Sequence, residues 1–374
     1  VRAFVRVVAA LILVASALAD LPGNAPLAAA NGCWRRVPMP DVDGFIAGAH
    51  VRSSSSGWAV GYRLTPDSDI RAFSLRWDGW SWSTVSVPRT SGSEYLNGVL
   101  EEPGGTAWAV GETAGTTLVL RWNGSSWGRV PSPHPGTMSS LASIARDPVG
   151  GSILAVGWWV DQGREFHPLI LRWTGTGWTT QLRRVGLFAA RLIDITSTRG
   201  ATWAIGDFGG HRHRTPLILR RTSRGWIRTP VPDAPGSRWM SAIAAAGSDD
   251  ALAVGQRWEH AIVLHWNGRR WRPVPATRVP GLVRSEGLHD VAMLPSGEAW
   301  IVGSRSRATG SSDPDYAYHP QVILHRHGGT WAWERPPDVP YTLLSQVSVV
   351  SSSDIWTLGG AALEDGGWPL AFRC

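Results

Sequence analysis

The chain of 374 residues contains no lysine; all 36 of its basic residues are arginine. That uniformity is read as coding bias and given no functional meaning. No dense basic run occurs, so the formal net charge of +7 is spread along the chain and nucleic acid is not an expected partner. No apolar periodicity of 3.6 residues is present, which excludes helical repeats. A Gly-x-Ser-x-Gly nucleophile elbow and a phosphate-cradling glycine loop are both missing, and cysteine is limited to Cys33 and Cys374. The one sustained apolar run, Val7 to Ala19, is too short to cross a hydrocarbon core of roughly 30 Å. Arg2 and Arg6 precede it and Ala17-Leu18-Ala19 ends it, which is the build of a secretory signal. Residues 1–30 are therefore expected to be removed, with cleavage after Ala19 or Ala30. Residues 31–374 are expected to form one secreted, monomeric domain with no membrane span.

What the chain has in excess is tryptophan, 23 residues against 12 of phenylalanine and tyrosine together. Most of them fall in a sevenfold repeat. A Trp-Ala-Val-Gly phrase is followed by an apolar run ending at a Trp-x-Gly-x-x-Trp turn, as in Ala107 to Gly111 and Leu118 to Trp127. The closing glycines are Gly61, Gly111, Gly157, Gly206, Gly255, Gly303 and Gly359, at spacings of 50, 46, 49, 49, 48 and 56. Short strands repeating at that period mean a propeller or a solenoid. The second copy carries four strand signals: 96–100, 107–111, 117–122 and 127–130. Asn123-Gly124 between the last two predicts a type I′ hairpin. The third strand is apolar throughout, as in Leu169-Ile170-Leu171 and Leu217-Ile218-Leu219, so both its faces should be buried between neighbouring sheets. A β-helix would need shorter rungs. The expected fold is all-β: a seven-bladed propeller with four antiparallel strands per blade.

The seventh copy stops at Cys374 without its fourth strand. Asn31 to Pro38 matches Asn123 to Pro131 with one residue missing, so the N-terminal strand should complete the last blade and close the ring. Cys374 stands where other copies have Trp77, Trp122, Trp173 and Trp266, and Cys33 stands just across the turn. A Cys33–Cys374 disulfide is expected. Arg76, Arg121, Arg172 and Arg220 recur once per copy and are read as structural.

These motifs resemble those of secreted bacterial propellers, often actinobacterial, and the likeness covers the whole mature chain. Asp78-Gly79 and Trp82 are also loosely similar to the Asp-box of sialidase-type propellers, although the acidic residue here directly precedes glycine. Kelch-type propellers are a further analogue, but only Gly359-Gly360 matches their glycine doublet, and the two cysteines leave none for a thioether-linked tyrosine. Neither resemblance carries catalytic residues onto this chain.

In a propeller one face collects the turns between second and third strands together with the blade-to-blade connections. The copies differ most in those turns. Trp158, Trp159, Asp161 and Glu165 occupy the third, Asp207, His211 and His213 the fourth, Trp258, Glu259 and His260 the fifth, and Tyr316 and Tyr318 the sixth. Aromatic surfaces beside charged groups suit a sugar or a peptide. The expected function is a binding module for an extracellular glycan, cell-wall polymer or protein, with no cofactor and no catalytic set. A glycan hydrolase or lyase on the same face is the alternative, with its carboxylates drawn from Asp161, Glu165, Asp207 or Glu259. Asp207, His211 and His213 have metal-ligand chemistry, but Arg212 and Arg214 oppose a cation there, so no metal is expected.

Overall fold

The computed structural model describes residues 33–374 apart from positions 66, 68, 149, 183–185, 187–188, 211–213, 233–237, 258–259, 280–286, 305–320, 336–338, 340–341 and 364–365. The seven copies form seven antiparallel four-stranded sheets, each touching the next around a ring. In blade 2, Glu94–Glu101, Ala107–Thr113, Thr116–Trp122 and Trp127–Arg129 pair in chain order. These strands lie within two residues of the segments expected from sequence. The third strands are buried on both faces, as their unbroken apolar runs require.

The glycine of the repeat has a steric cause. Each innermost strand carries a bulge, for example between Leu96 and Gly98, beside the residue that pairs with that glycine. A side chain on Gly111 would run into the carbonyl of Tyr95, and the same overlap would occur at the other six closing glycines. The third-to-fourth turn differs from the expected type I′ hairpin. Trp122 pairs with Trp127, so the turn holds four residues, and only Gly124 takes positive φ (104°). The Asn123 side chain accepts hydrogen bonds from the amides of Ser125 and Ser126, both at 2.9 Å, and this Asx turn replaces the tight hairpin.

Tryptophan builds the blade junctions. Trp108 of blade 2 sits between Trp173 and Trp178 of blade 3, tilted on the first and edge-on to the second, with ring centroids 4.9 and 5.4 Å away. Trp58, Trp203 and Trp356 make the same triad with the turns of blades 2, 5 and 1. In blades 1, 2, 4 and 7 the third-strand arginine caps its own triad: Arg76, Arg121, Arg220 and Arg373 lie over Trp58, Trp108, Trp203 and Trp356. Each such stack contributes on the order of 1 kcal/mol. Blades 3 and 5 carry Leu154 and Leu252 in place of the tryptophan, and the next blade then has arginine for the first turn tryptophan. Arg221 reaches back to Asp147 at 2.6 Å and Arg326 to Asp250 at 3.1 Å, so an ion pair replaces one aromatic contact.

At the last junction the N-terminal strand Arg35–Val37 pairs with Gly366–Arg373 and completes blade 7. Cys33 and Cys374 are joined by a disulfide, with Cα atoms 4.9 Å apart. Trp300 of blade 6 shares one core cluster with Trp34 and Phe372, and Cys374, packed against that cluster, stands in the place of a turn tryptophan.

The innermost strands line an axial channel of about 680 Å³. Side chains at the bulges tie neighbouring blades together across it. Asn97 donates to the Leu141 carbonyl at 2.9 Å, and Ser345 donates to the Ile46 carbonyl at 3.0 Å. Asp194 accepts from Ser143 and from the Ile243 amide, and Asp290 accepts from the Val347 amide. Both carboxylates keep part of their surface open to the channel. Burial nonetheless pushes Asp194 up to about 6, and burial together with the Asp194 charge pushes Asp290 up to about 8. A raised carboxylate favours the folded state when protonated. Its contribution is complete below the ordinary value of 3.8 and is lost as pH rises through 6 and 8. The stability difference between wild type and Asp290→Asn should therefore move in favour of the variant between about pH 4 and about pH 8, read by thermal melts. Parallel pH curves would contradict this assignment.

Candidate functional site

A residue among the first three of each innermost strand and the residue after each repeat glycine face each other at the upper mouth of the channel. Seven such pairs ring it: Phe45–Tyr62, Tyr95–Glu112, Ser140–Trp158, Arg191–Asp207, Trp239–Gln256, Gly287–Ser304 and Leu343–Gly360. The scaffold residues on either side repeat, but these pairs do not. They are where one architecture acquires a particular surface.

Three of the ring positions form an aromatic arc. Phe45 lies 6.2 Å from Tyr62, and Tyr62 lies 5.1 Å edge-on from Tyr95 across the junction of blades 1 and 2. Burial raises the Tyr62 and Tyr95 phenols, so both remain neutral hydrogen-bonding groups at physiological pH. Burial also raises Glu112, against a hydrogen bond with Ser140 that lowers it. Around the arc are exposed apolar side chains. Phe45, Leu64, Met138, Leu343 and Trp368 each leave between 38% and 58% of their surface open, and all five belong to the upper ends of strands in blades 7, 1 and 3. Among the described residues only two other large apolar side chains are exposed, Trp80 on the lower face and Ile227 on the rim.

The residues expected from sequence fall elsewhere on the same face. Trp158 is half-buried and meets Phe166 edge-on at 5.1 Å. Trp159 is buried and stacks on His167 at 4.3 Å, so it packs the interior and offers no open platform. Asp161 accepts from the Glu165 amide at 3.0 Å and bonds His167 Nε2 at 2.9 Å; the hydrogen bond with His167, then that amide, lowers its pKa. Glu165 is exposed. Asp207 is buried between two guanidinium groups, with Arg191 at 3.1 Å and Arg214 at 2.8 Å. Its carboxylate is engaged by both arginines. His260 is exposed at the start of blade 5's third strand. His211, His213, Trp258, Glu259, Tyr316 and Tyr318 lie outside the described residues.

The arc itself escaped the sequence reading. Phe45 and Tyr95 stand at or next to the start of innermost strands and Tyr62 trails a repeat glycine, so each reads locally as an ordinary strand residue. Aligning the copies and asking which strand-end positions never repeat is the signal that finds them.

No family model matches the sequence, and no curated protein matches it. Solved structures do. YCF48 bound to D1 peptide is similar with a TM-score of 0.59 at 16% identity, over 92% of this chain and 97% of that one. YCF48 from Cyanidioschyzon merolae gives 0.57 at 15%, over 91% and 98%. U3-55K gives 0.59 at 10%, over 91% and 98%. At these identities the likeness is one of fold: the chain shares a whole propeller with proteins of differing roles.

Proposed function

We propose that the chain is a secreted binding module that holds an extended segment of another extracellular protein across the upper mouth. One observation carries this reading: five of the seven exposed large apolar side chains among the described residues lie on one face, on blades 7, 1 and 3, and the Tyr62–Tyr95 contact carries the arc onto blade 2 between them. Contiguous exposed apolar surface on a soluble domain marks an interaction site. The mixture of Phe45, Leu64, Met138 and Leu343 suits apolar side chains of a polypeptide better than the flat faces of sugar rings. Arg191 and Arg214 of blade 4, paired to Asp207, supply charge farther round the same ring. A propeller of similar fold, YCF48, accommodates a peptide. The disulfide fits an oxidising compartment.

Peptide-display selection on the purified domain tests the reading. Enriched sequences should be rich in apolar residues, and Phe45→Ser and Leu343→Ser should each weaken their binding about tenfold, since burying one such side chain contributes about 1.5–3 kcal/mol. A glycan-array signal sensitive to the same substitutions, without peptide enrichment, would transfer the face to a carbohydrate. Binding indifferent to both substitutions would remove the face from the account.

A further inference from the structure

Blade 6 departs from the repeat on the lower face, away from the aromatic arc. Where blade 2 ends its third strand Arg121-Trp122-Asn123-Gly124, blade 6 has His325-Arg326-His327-Gly328, and Glu298 replaces Thr106. His325 and His327 are two residues apart on one strand, so their side chains share a side. Glu298 Oε1 lies 2.9 Å from His325 Nε2 and 3.2 Å from His327 Nδ1. The three ligand atoms lie within 4.8 Å of one another. A tetrahedral zinc ion with bonds of 2.0–2.1 Å sets its ligand atoms about 3.3 Å apart.

A second observation points the same way. His325 Nδ1 lies 2.8 Å from Glu334 Oε1, and the other oxygen of Glu334 accepts from Trp34 Nε1 at 2.8 Å. The imidazole also lies flat on Trp300, 4.3 Å away at 12°. A histidine whose far nitrogen is held by an oriented carboxylate is the arrangement that stands behind metal-bound imidazoles. An ion pair alone does not account for it. Blade 7 makes the equivalent pair with Arg373 and Asp354, and it has Val37 where blade 6 has Glu334. Arg326, between the two histidines, is held by Asp250 of blade 5. The other convergent group, Asp161, Glu165 and His167, has no carboxylate behind the second histidine nitrogen among the described residues, and one Asp161 oxygen is taken by the Glu165 amide.

We propose that Glu298, His325 and His327 bind a zinc-class divalent cation, with Glu334 as the positioning residue and a fourth coordination place open to solvent beside the exposed His327. Two imidazoles and one carboxylate suit zinc over calcium or magnesium, which prefer oxygen. Binding exchanges the His325 Nε2 proton for the ion, and the proton passes to the buffer. Because Trp34 belongs to the ring-closing segment, an occupied site also braces the junction of blades 6 and 7.

Calorimetric titration of the untagged, chelator-treated domain with Zn²⁺, and visible absorption with Co²⁺, test this. One equivalent should bind, cobalt should show the intense bands of a tetrahedral site, and melting should shift upward with zinc. His325→Arg restores the residue of five other blades, keeps a stack on Trp300 and should fold without binding metal. His327→Ala should weaken binding at least about tenfold and Glu334→Gln by about 10–100-fold, while His167→Ala should leave it unchanged. No binding at millimolar zinc would overturn the proposal. So would one equivalent retained by His325→Arg, or binding lost with His167→Ala.

Discussion

Replacing Trp108 with alanine is expected to lower the unfolding free energy by about 4 kcal/mol, within the range for emptying a buried tryptophan site. Trp108 is fully buried, touches Trp173 and Trp178, lies under Arg121 and donates to Glu102 at 2.8 Å. Denaturation in urea reads the loss as a lower midpoint. The molecule also contains the design of its own rescue. At the junction of blades 3 and 4, Leu154 goes with Arg221 and its ion pair to Asp147. In blade 2, Glu102 occupies the position of Asp147. Trp108→Leu and Trp173→Arg made together should rebuild that alternative junction, and the double variant should cost less than the two singles summed by at least about 1 kcal/mol. Strict additivity would mean that the ion-pair junction is incidental.

Removing the disulfide by Cys33→Ser and Cys374→Ser is expected to cost about 4–5 kcal/mol. The bond spans 341 residues, and the strand it anchors has only three, paired to Arg373, Phe372 and Ala371. Without the bond, a short edge strand must hold the ring shut against the entropy of a free chain end. Urea unfolding of the serine variant, compared with the oxidised domain, measures the difference. A loss below about 1 kcal/mol would show that Trp34, packed against Trp300 and bonded to Glu334, closes the ring unaided.

The architecture was legible because its signals are local and repeat seven times. Glycine spacing gave the blade period, unbroken apolar runs gave strands buried on both faces, and a missing fourth strand at one end matched a spare strand at the other. The pairing of Cys33 with Cys374 followed from that match. The Asn123-Gly124 turn was misjudged because the dipeptide rule assumes a two-residue loop, whereas the Asn123 side chain caps a longer one. The surface was less legible. Sequence reasoning looked for function in the long second-to-third turns, where composition is conspicuous. Phe45, Tyr62 and Tyr95 are strand-end residues drawn together only when adjacent blades pack. Glu298, His325 and Glu334 likewise meet through sheet register, and nothing in their sequence spacing announces it.

Hydrogen exchange of the domain alone and bound to a display-selected peptide tests most directly whether the non-repeating upper mouth is the binding surface. The account predicts new protection at Phe45–Ile46, Tyr62–Leu64, Tyr95–Leu96 and Leu343–Leu344, with the lower turns unchanged. Protection confined to the lower face or to the rim, with these segments exchanging as before, would contradict it.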